Sequence, residues 1–464
     1  MSREILKPYP YQLEGARRIA KTGRALLADR MGLGKSAQAV LAADMLGALN
    51  VTVICPATVR WNWLREFERF SPMDRPAVAV STAKDEVPPD GLVVCSYDLA
   101  AKPAVHAALL ARRTDMLILD EAHYLKERDT NRTKRILLGD DGVEPLVREV
   151  KHVVCITGTP APNDVSELWP MLAAVFPEVI DHGGKPASFS RFVKAFCRAR
   201  IDRWGGLKIT GNRNVPELKR RLARIMIRRS LEDVGMQLPP LRYEDVTVEQ
   251  GPVDLVAFFP KLALKEARDE FHAQDNAMAA MLTTAETEDA ALEMLQAANG
   301  STSTVRRYVG LSKVQAAAEI ALSELITGGV DKMVIFAIHL DVILQLQEKL
   351  KHLGSRIIFG GTSERRRNRY IDQFQNSNLL RVLICNITAA GVGITLTAAN
   401  EVLFVESSFV PANNAQAAMR CHRIGQRRPV RVRFLSLANS VDEHVQKIVR
   451  RKTQQLTEVF GSAT

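Results

Sequence analysis

The segment ALLADRMGLGKSAQAVLAA at 25–43 runs from an apolar stretch into a glycine-containing loop and out into a run of helix formers. Gly32 and Gly34 let the backbone approach phosphate oxygens with no Cβ in the way. The N–H groups of this loop, Leu33 among them, and the start of the following helix favour anions. Lys35 then reaches the β- and γ-phosphates of a nucleoside triphosphate such as ATP, and the Ser36 hydroxyl ligates Mg²⁺. The strict pattern G-x-x-x-x-G-K-[ST] is not met, because Asp29 stands at its first glycine. By that pattern alone GLGKS also reads as a turn; the strand–loop–helix context selects the phosphate site.

A second cluster lies in MLILDEAHYLK at 116–126. An apolar run ends in two carboxylates, which emerge at the carboxyl end of a strand, where open α/β sheets bind ligands. Asp120 is placed to hold Mg²⁺ through water, and Glu121 to orient and deprotonate an attacking water. An isolated Asp-Glu is also a common acidic helix start; its pairing with the loop at 29–36 favours the catalytic reading. His123 lacks the partner spacing of a metal ligand.

Both clusters need rigid elements to hold them. Short apolar runs recur at 51–55, 91–96, 116–120 and 152–157, and again at 332–337, 356–360, 381–385, 401–405 and 430–435. Rich in Val and Ile and without polar alternation, they predict strands buried on both faces. Alternation with helix-forming stretches predicts an α/β fold with parallel sheets flanked by helices. The rhythm lapses between about 170 and 330, and residues 253–298 hold strong helix formers without glycine. The expected organisation is a first lobe at 1–240 with a helical extension over about 170–235, a helical insertion or linker at 241–310, and a second lobe at 311–464.

The chain has 464 residues and a net charge of +11, an excess that favours a polyanionic partner such as nucleic acid. Its six cysteines, Cys55, Cys95, Cys155, Cys197, Cys385 and Cys421, form no C-x-x-C pair, which argues against zinc and for buried reduced thiols. No apolar run reaches the roughly 18 residues of a membrane span, and the polar N-terminus lacks a signal-peptide core. The expected location is cytoplasmic or nuclear, with no membrane partner.

At this point the two clusters resemble motifs I and II of the superfamily-two helicases, and further segments resemble the Swi/Snf group of DNA translocases. Gln12 in YPYQLEG resembles an adenine-reading Q motif. ICPATVRWNWLREFERF (54–70) and VVCSYDLA (93–100) resemble motifs Ia and Ib, and ITGTPAPNDVSELWPML (156–172) resembles motif III. IMIRRSLEDVGMQLPPL (225–241) resembles the segment closing the first lobe, and VIFAIHLDVI (334–343) is similar to motif IV. NITAAGVGITLTAAN (386–400) and QAAMRCHRIGQRRPV (416–430) are similar to motifs V and VI. The wording of motif V and of TPAPNDVSELW is similar to the HARP-like annealing-helicase branch. Arg30 departs from the group, which usually has an acidic residue there.

The resemblance implies two RecA-like lobes sharing one ATP site, with helical insertions between them. It implies ATP and Mg²⁺ as cofactors and movement on double-stranded DNA, not sequence-specific, by a monomeric motor. It adds Gln12 and Gly393 to the nucleotide contacts. It implies that Gln416, Arg420 and Arg423 reach the γ-phosphate, the two arginines on one face if that stretch is helical. Lys35, Asp120 and Glu121 complete the catalytic set, with Ser36 and Asp120 as the Mg²⁺ ligands. Arg60, Trp61, Thr157 and Thr388 are the candidates for nucleic-acid contact, since a motor grips phosphates through such side chains. Trp61 and Trp63 also read as packing residues. A strand-separating DNA or RNA helicase, or an ATP-controlled switch that recruits partners, are the alternatives.

Overall fold

The computed structural model describes residues 5–140, 142–158, 165–181, 186–201, 207–235, 238–258, 264–285, 287–298, 300, 302–327, 329–390 and 394–459. The chain divides into two compact units, Met1–Gly235 and Met236–Thr464. In the first unit β1 (Arg24–Leu27), β2 (Val51–Cys55), β3 (Ala77–Ala79), β4 (Leu92–Ser96), β5 (Met116–Asp120) and β6 (His152–Ile156) are followed by β7 (Cys197–Ile201), β8 (Leu207–Asn212) and β9 (Met226–Ile227). Seven of them form one sheet in the order β3-β4-β2-β5-β6-β1-β9. Every pairing in it is parallel. β2 and β4 are buried at every position and β5 at all but its last. That pattern needs helices over both faces.

Three helices bear on the site: α1 (Pro10–Thr22), α2 (Lys35–Met45) and α3 (Arg60–Phe70). α3 shows how sequence becomes packing: Trp63 and Phe67, one turn apart, are buried, and most of the residues between are polar. The register then levels the strand ends. Asp120 pairs with Ile156, Ile156 with Leu27, and Leu27 with Ile227. The loops that leave β5, β6 and β1 therefore start side by side.

The expected helical extension over 170–235 is mixed. It holds the helices Phe189–Phe196 and Val215–Leu222, but also β9 and the antiparallel hairpin β7–β8.

The second unit contains β10 (Leu241–Val248), β11 (Met333–Ala337), β12 (Ser355–Ile358), β13 (Val382–Asn386), β14 (Glu401–Phe404) and β15 (Val430–Leu437). They form a parallel sheet in the order β10-β15-β14-β11-β13-β12. The segment 241–310, expected as a helical linker, thus opens with a strand of this sheet. Its alternating half-buried pattern is that of an edge strand, which carries no unbroken apolar run to read. The helices Leu264–Thr284, Glu288–Ala297 and Ser303–Ile326 follow. Phe336, Phe404 and Phe434 face one another across β11, β14 and β15, with ring centroids 5.0 Å and 4.6 Å apart. All six cysteines are buried. No described helix is long and apolar enough to cross a membrane.

Candidate nucleotide site and the elements around it

The loop after β1 is built on a buried ion pair. Asp29 is fully buried. A carboxylate taken out of water needs a charged partner. Arg229, just past β9, supplies it through Nε at 3.2 Å and Nη2 at 2.8 Å. Gln38 on α2 donates Nε2 to the same carboxylate at 2.9 Å and accepts from Arg229 Nη2 at 2.6 Å. Arg229 Nη1 donates to the Tyr11 carbonyl at 2.6 Å, so the network also anchors α1.

Gly34 has φ 68°, and a Cβ there would stand 2.3 Å from Gln12 Nε2. Only glycine satisfies both conditions. Tyr11 Oη and Gln12 Nε2 donate to the Leu33 carbonyl at 3.1 Å and 3.3 Å, setting the Gln12 side chain beside the loop. α2 opens at Lys35, and no side chain caps its N-terminus. That leaves the first-turn amides and the helix dipole directed at an anion. Lys35 Nζ donates to the carbonyls of Asp29 at 2.7 Å and Arg30 at 3.4 Å. Arg30 is half-buried; burial lowers its pKa, against the opposing pull of the Glu232 carboxylate.

β5 delivers the carboxylates. Asp120 Oδ2 accepts the indole N–H of Trp63 at 2.8 Å, Oδ1 accepts the Glu121 amide at 3.0 Å, and the Asp120 carbonyl accepts Tyr97 Oη at 2.8 Å. Burial, and then the neighbouring Glu121 charge, push the Asp120 carboxyl up to about 7. Glu121 lies in the left-handed region at φ 52°, ψ 52°. His123 Nδ1 is 3.3 Å from Glu121 Oε2 and 3.1 Å from Thr157 Oγ1. Burial pushes the His123 ring down to about 4, so near neutral pH it is an uncharged imidazole. At the end of β6, a Cβ on Gly158 would stand 3.2 Å from Met31 Cγ and 3.8 Å from Lys35 Nζ. Lys35, Ser36, Asp120, Glu121 and His123 therefore arise from strand ends two strands apart at most. Ser36 and Asp120 offer the hard oxygen ligands Mg²⁺ takes, and an uncapped helix start with a lysine beside it suits a polyphosphate.

Not every predicted residue falls where expected. Thr157, expected as a nucleic-acid contact, is 1% exposed, with its hydroxyl 3.1 Å from His123 Nδ1. Trp61 is 42% exposed on α3. Arg60 is tied to its own unit, donating Nε to the Ala57 carbonyl at 3.1 Å and Nη1 to the Val80 carbonyl. Thr388 is exposed, with its hydroxyl on Asn386 Oδ1 at 2.6 Å. Gln416 is on the helix Pro411–Ala418, but that helix ends before Arg420 and Arg423, which sit in the turns that follow. They share no helical face. Arg423 Nη1 donates to the Ile394 carbonyl at 2.9 Å and Thr395 Oγ1 at 3.0 Å. Gly393 and residues 159–164 of the motif III segment lie outside the described residues. Sequence reasoning missed Arg229, Gln38 and Tyr97. The one available signal was Asp29, an acid where a glycine belongs, which calls for a cation somewhere.

Comparison with known proteins identifies two family domains in the chain. The SNF2-related domain matches residues 11–288, and the helicase conserved C-terminal domain matches residues 316–425. The DNA annealing helicase and endonuclease ZRANB3 of Mus musculus is 29% identical over 461 residues, covering 97% of this chain and 40% of that protein. The SWI/SNF-related matrix-associated actin-dependent regulator of chromatin subfamily A-like protein 1 homolog of Caenorhabditis elegans is 31% identical over 470 residues, covering 99% of this chain and 63% of that protein. The chain thus spans 40% and 63% of the length of these two relatives. Among solved structures, the Sulfolobus solfataricus SWI2/SNF2 ATPase core in complex with dsDNA aligns over 98% of this chain and 97% of that chain, at 22% identity and a TM-score of 0.42. With a match running from residue 11 to 288 of its 464 residues, this chain belongs to the SNF2-related family.

Proposed function

We propose that the chain is an ATP-dependent translocase on double-stranded DNA, coupling hydrolysis to movement along the duplex or to its reannealing. The observation that carries this is the level alignment of β5, β6 and β1, which brings Asp120, Glu121, His123 and the Lys35 loop to the carboxyl end of the sheet. Lys35 and the first-turn amides of α2 bind the β- and γ-phosphates of ATP, and Gln12 stands beside the loop for the base. Ser36 and Asp120 hold Mg²⁺, which when bound neutralises charge on the phosphates. Glu121 accepts a proton from the attacking water. The neutral His123 ring bonds the Thr157 hydroxyl and lies beside Glu121. Gln416, Arg420 and Arg423 are the proposed donors to the γ-phosphate, a guanidinium being suited to charge that spreads over two oxygens.

Double-stranded DNA is the proposed partner on the strength of the +11 charge. The relatives named above as a DNA annealing helicase and a chromatin regulator support it. Reannealing is the finer reading, favoured by the first of those names. The test is the ATPase rate with plain duplex, forked DNA, single-stranded DNA and RNA, side by side. The expected result is a low rate alone and a strong rise with duplex. A further rise with forks supports reannealing. Stimulation by RNA alone overturns the reading. Lys35→Ala is the control that must abolish the rate.

A further inference from the structure

α3 presents different faces to different surroundings. Trp61 and Trp63 are two positions apart, about 200° around a helix at 3.6 residues per turn. Trp61 is 42% exposed, while Trp63 is 2% exposed with its indole N–H on Asp120 Oδ2 at 2.8 Å. The segment after β4 sends a second buried donor to the same residue. Tyr97 is 2% exposed and donates its hydroxyl to the Asp120 carbonyl at 2.8 Å. Its ring stacks at 5.5 Å on Tyr124, which is 38% exposed. Two separate segments thus each send a buried aromatic donor to one residue at the end of β5, and an exposed ring lies beside each donor: Trp61 on α3, and Tyr124 just past β5.

The choice of donors matters chemically. A lysine or arginine in place of Trp63 would orient the carboxylate but neutralise it, and so compete with a divalent cation. An indole N–H is a donor without charge. It fixes the direction of Oδ2 and adds no positive charge to compete with a metal there. The carboxylate is held on its other oxygen by the Glu121 amide at 3.0 Å, so the Trp63 bond completes its orientation.

We propose that Trp63 and Tyr97 are positioning residues that link the exposed rings of Trp61, on α3, and Tyr124, stacked on Tyr97, to the metal-holding carboxylate of Asp120. Nucleic acid held against those rings would then set the readiness of the nucleotide site. This rests on the ATP-hydrolysing reading given above.

Trp63→Phe keeps an aromatic ring and removes the donor; Tyr97→Phe removes a single oxygen. In the full chain, binding of a fluorescent, slowly hydrolysed ATP analogue is titrated with Mg²⁺. The ratio of ATPase rates with and without duplex, the duplex affinity and the melting temperature are measured alongside. A lost hydrogen bond to a charged acceptor should raise the Mg²⁺ needed for half-saturation by about tenfold in Trp63→Phe. The duplex stimulation ratio should fall, with duplex affinity unchanged. Tyr97→Phe should move both quantities the same way by about threefold, and it carries the test should Trp63→Phe not fold. Wild-type Mg²⁺ titration and stimulation in a folded variant overturns the inference alone. So does weakening of analogue binding that is equal with and without Mg²⁺, which marks a packing role. If the wild-type chain shows no Mg²⁺-dependent nucleotide binding, the hydrolase reading itself fails and this inference with it.

Discussion

Arg229 holds Asp29 from 200 positions away in the chain, with Nη2 2.8 Å from a carboxylate that is fully buried. The pair makes the segment past β9 a structural part of the loop after β1.

Removing one partner of such a pair leaves an uncompensated buried charge. Arg229→Ala should destabilise the first unit by about 3–5 kcal/mol. Urea denaturation would report it. Asp29→Asn in the same chain should recover part of the loss, because the stranded charge is gone. Additive effects of the two substitutions would show that the pair does not couple.

Glu121→Gln should bind ATP and turn it over slowly. The amide keeps the shape and loses the base, a loss on the order of 10²–10⁴-fold. Single-turnover hydrolysis beside equilibrium nucleotide binding separates the two effects. Near wild-type turnover would move the base elsewhere.

How much of this was legible beforehand depends on distance along the chain. The loop at 29–36 and the carboxylates at 120–121 are local words, and the strands that carry them are continuous apolar runs, so both could be read directly. β10 could not, because an edge strand alternates and offers no run. The Asp29–Arg229 pair could not, because nothing near Asp29 names its partner. The burial of Thr157 was illegible for a related reason. A threonine at a strand end looks the same whether it faces solvent or a partly buried histidine, and only the register of β5 against β6 sets it beside His123. The pairing of Arg420 with Arg423 failed at the helix end: nothing in AAMRCHR announces that the helix Pro411–Ala418 stops where it does.

Arg423→Ala should lower turnover by about 10³–10⁵, the worth of an arginine that stabilises charge on a transferred phosphoryl group. ATP affinity should change far less. The guanidinium also bonds the Ile394 carbonyl and Thr395 Oγ1, so a fold role is the competing account. A drop in melting temperature with parallel losses in binding and turnover would favour that account.

Duplex affinity should fall steeply with salt and depend little on base sequence. Contacts to phosphates release counterions, giving a log–log slope of about −0.9 per phosphate neutralised. Fluorescence anisotropy with scrambled duplexes over a range of salt would measure both. A strong preference for one sequence at fixed salt would contradict a grip on the phosphate backbone.

Glu121 takes up a left-handed backbone, which for a residue with a Cβ costs about 1–2 kcal/mol. Folding and chemistry therefore favour different residues at this position. Glycine would relax the backbone and delete the carboxylate, so with Glu121 as the proposed base, selection for heat tolerance alone would favour chains that last longer and turn over more slowly. Thermostability and activity at position 121 therefore have to be screened together.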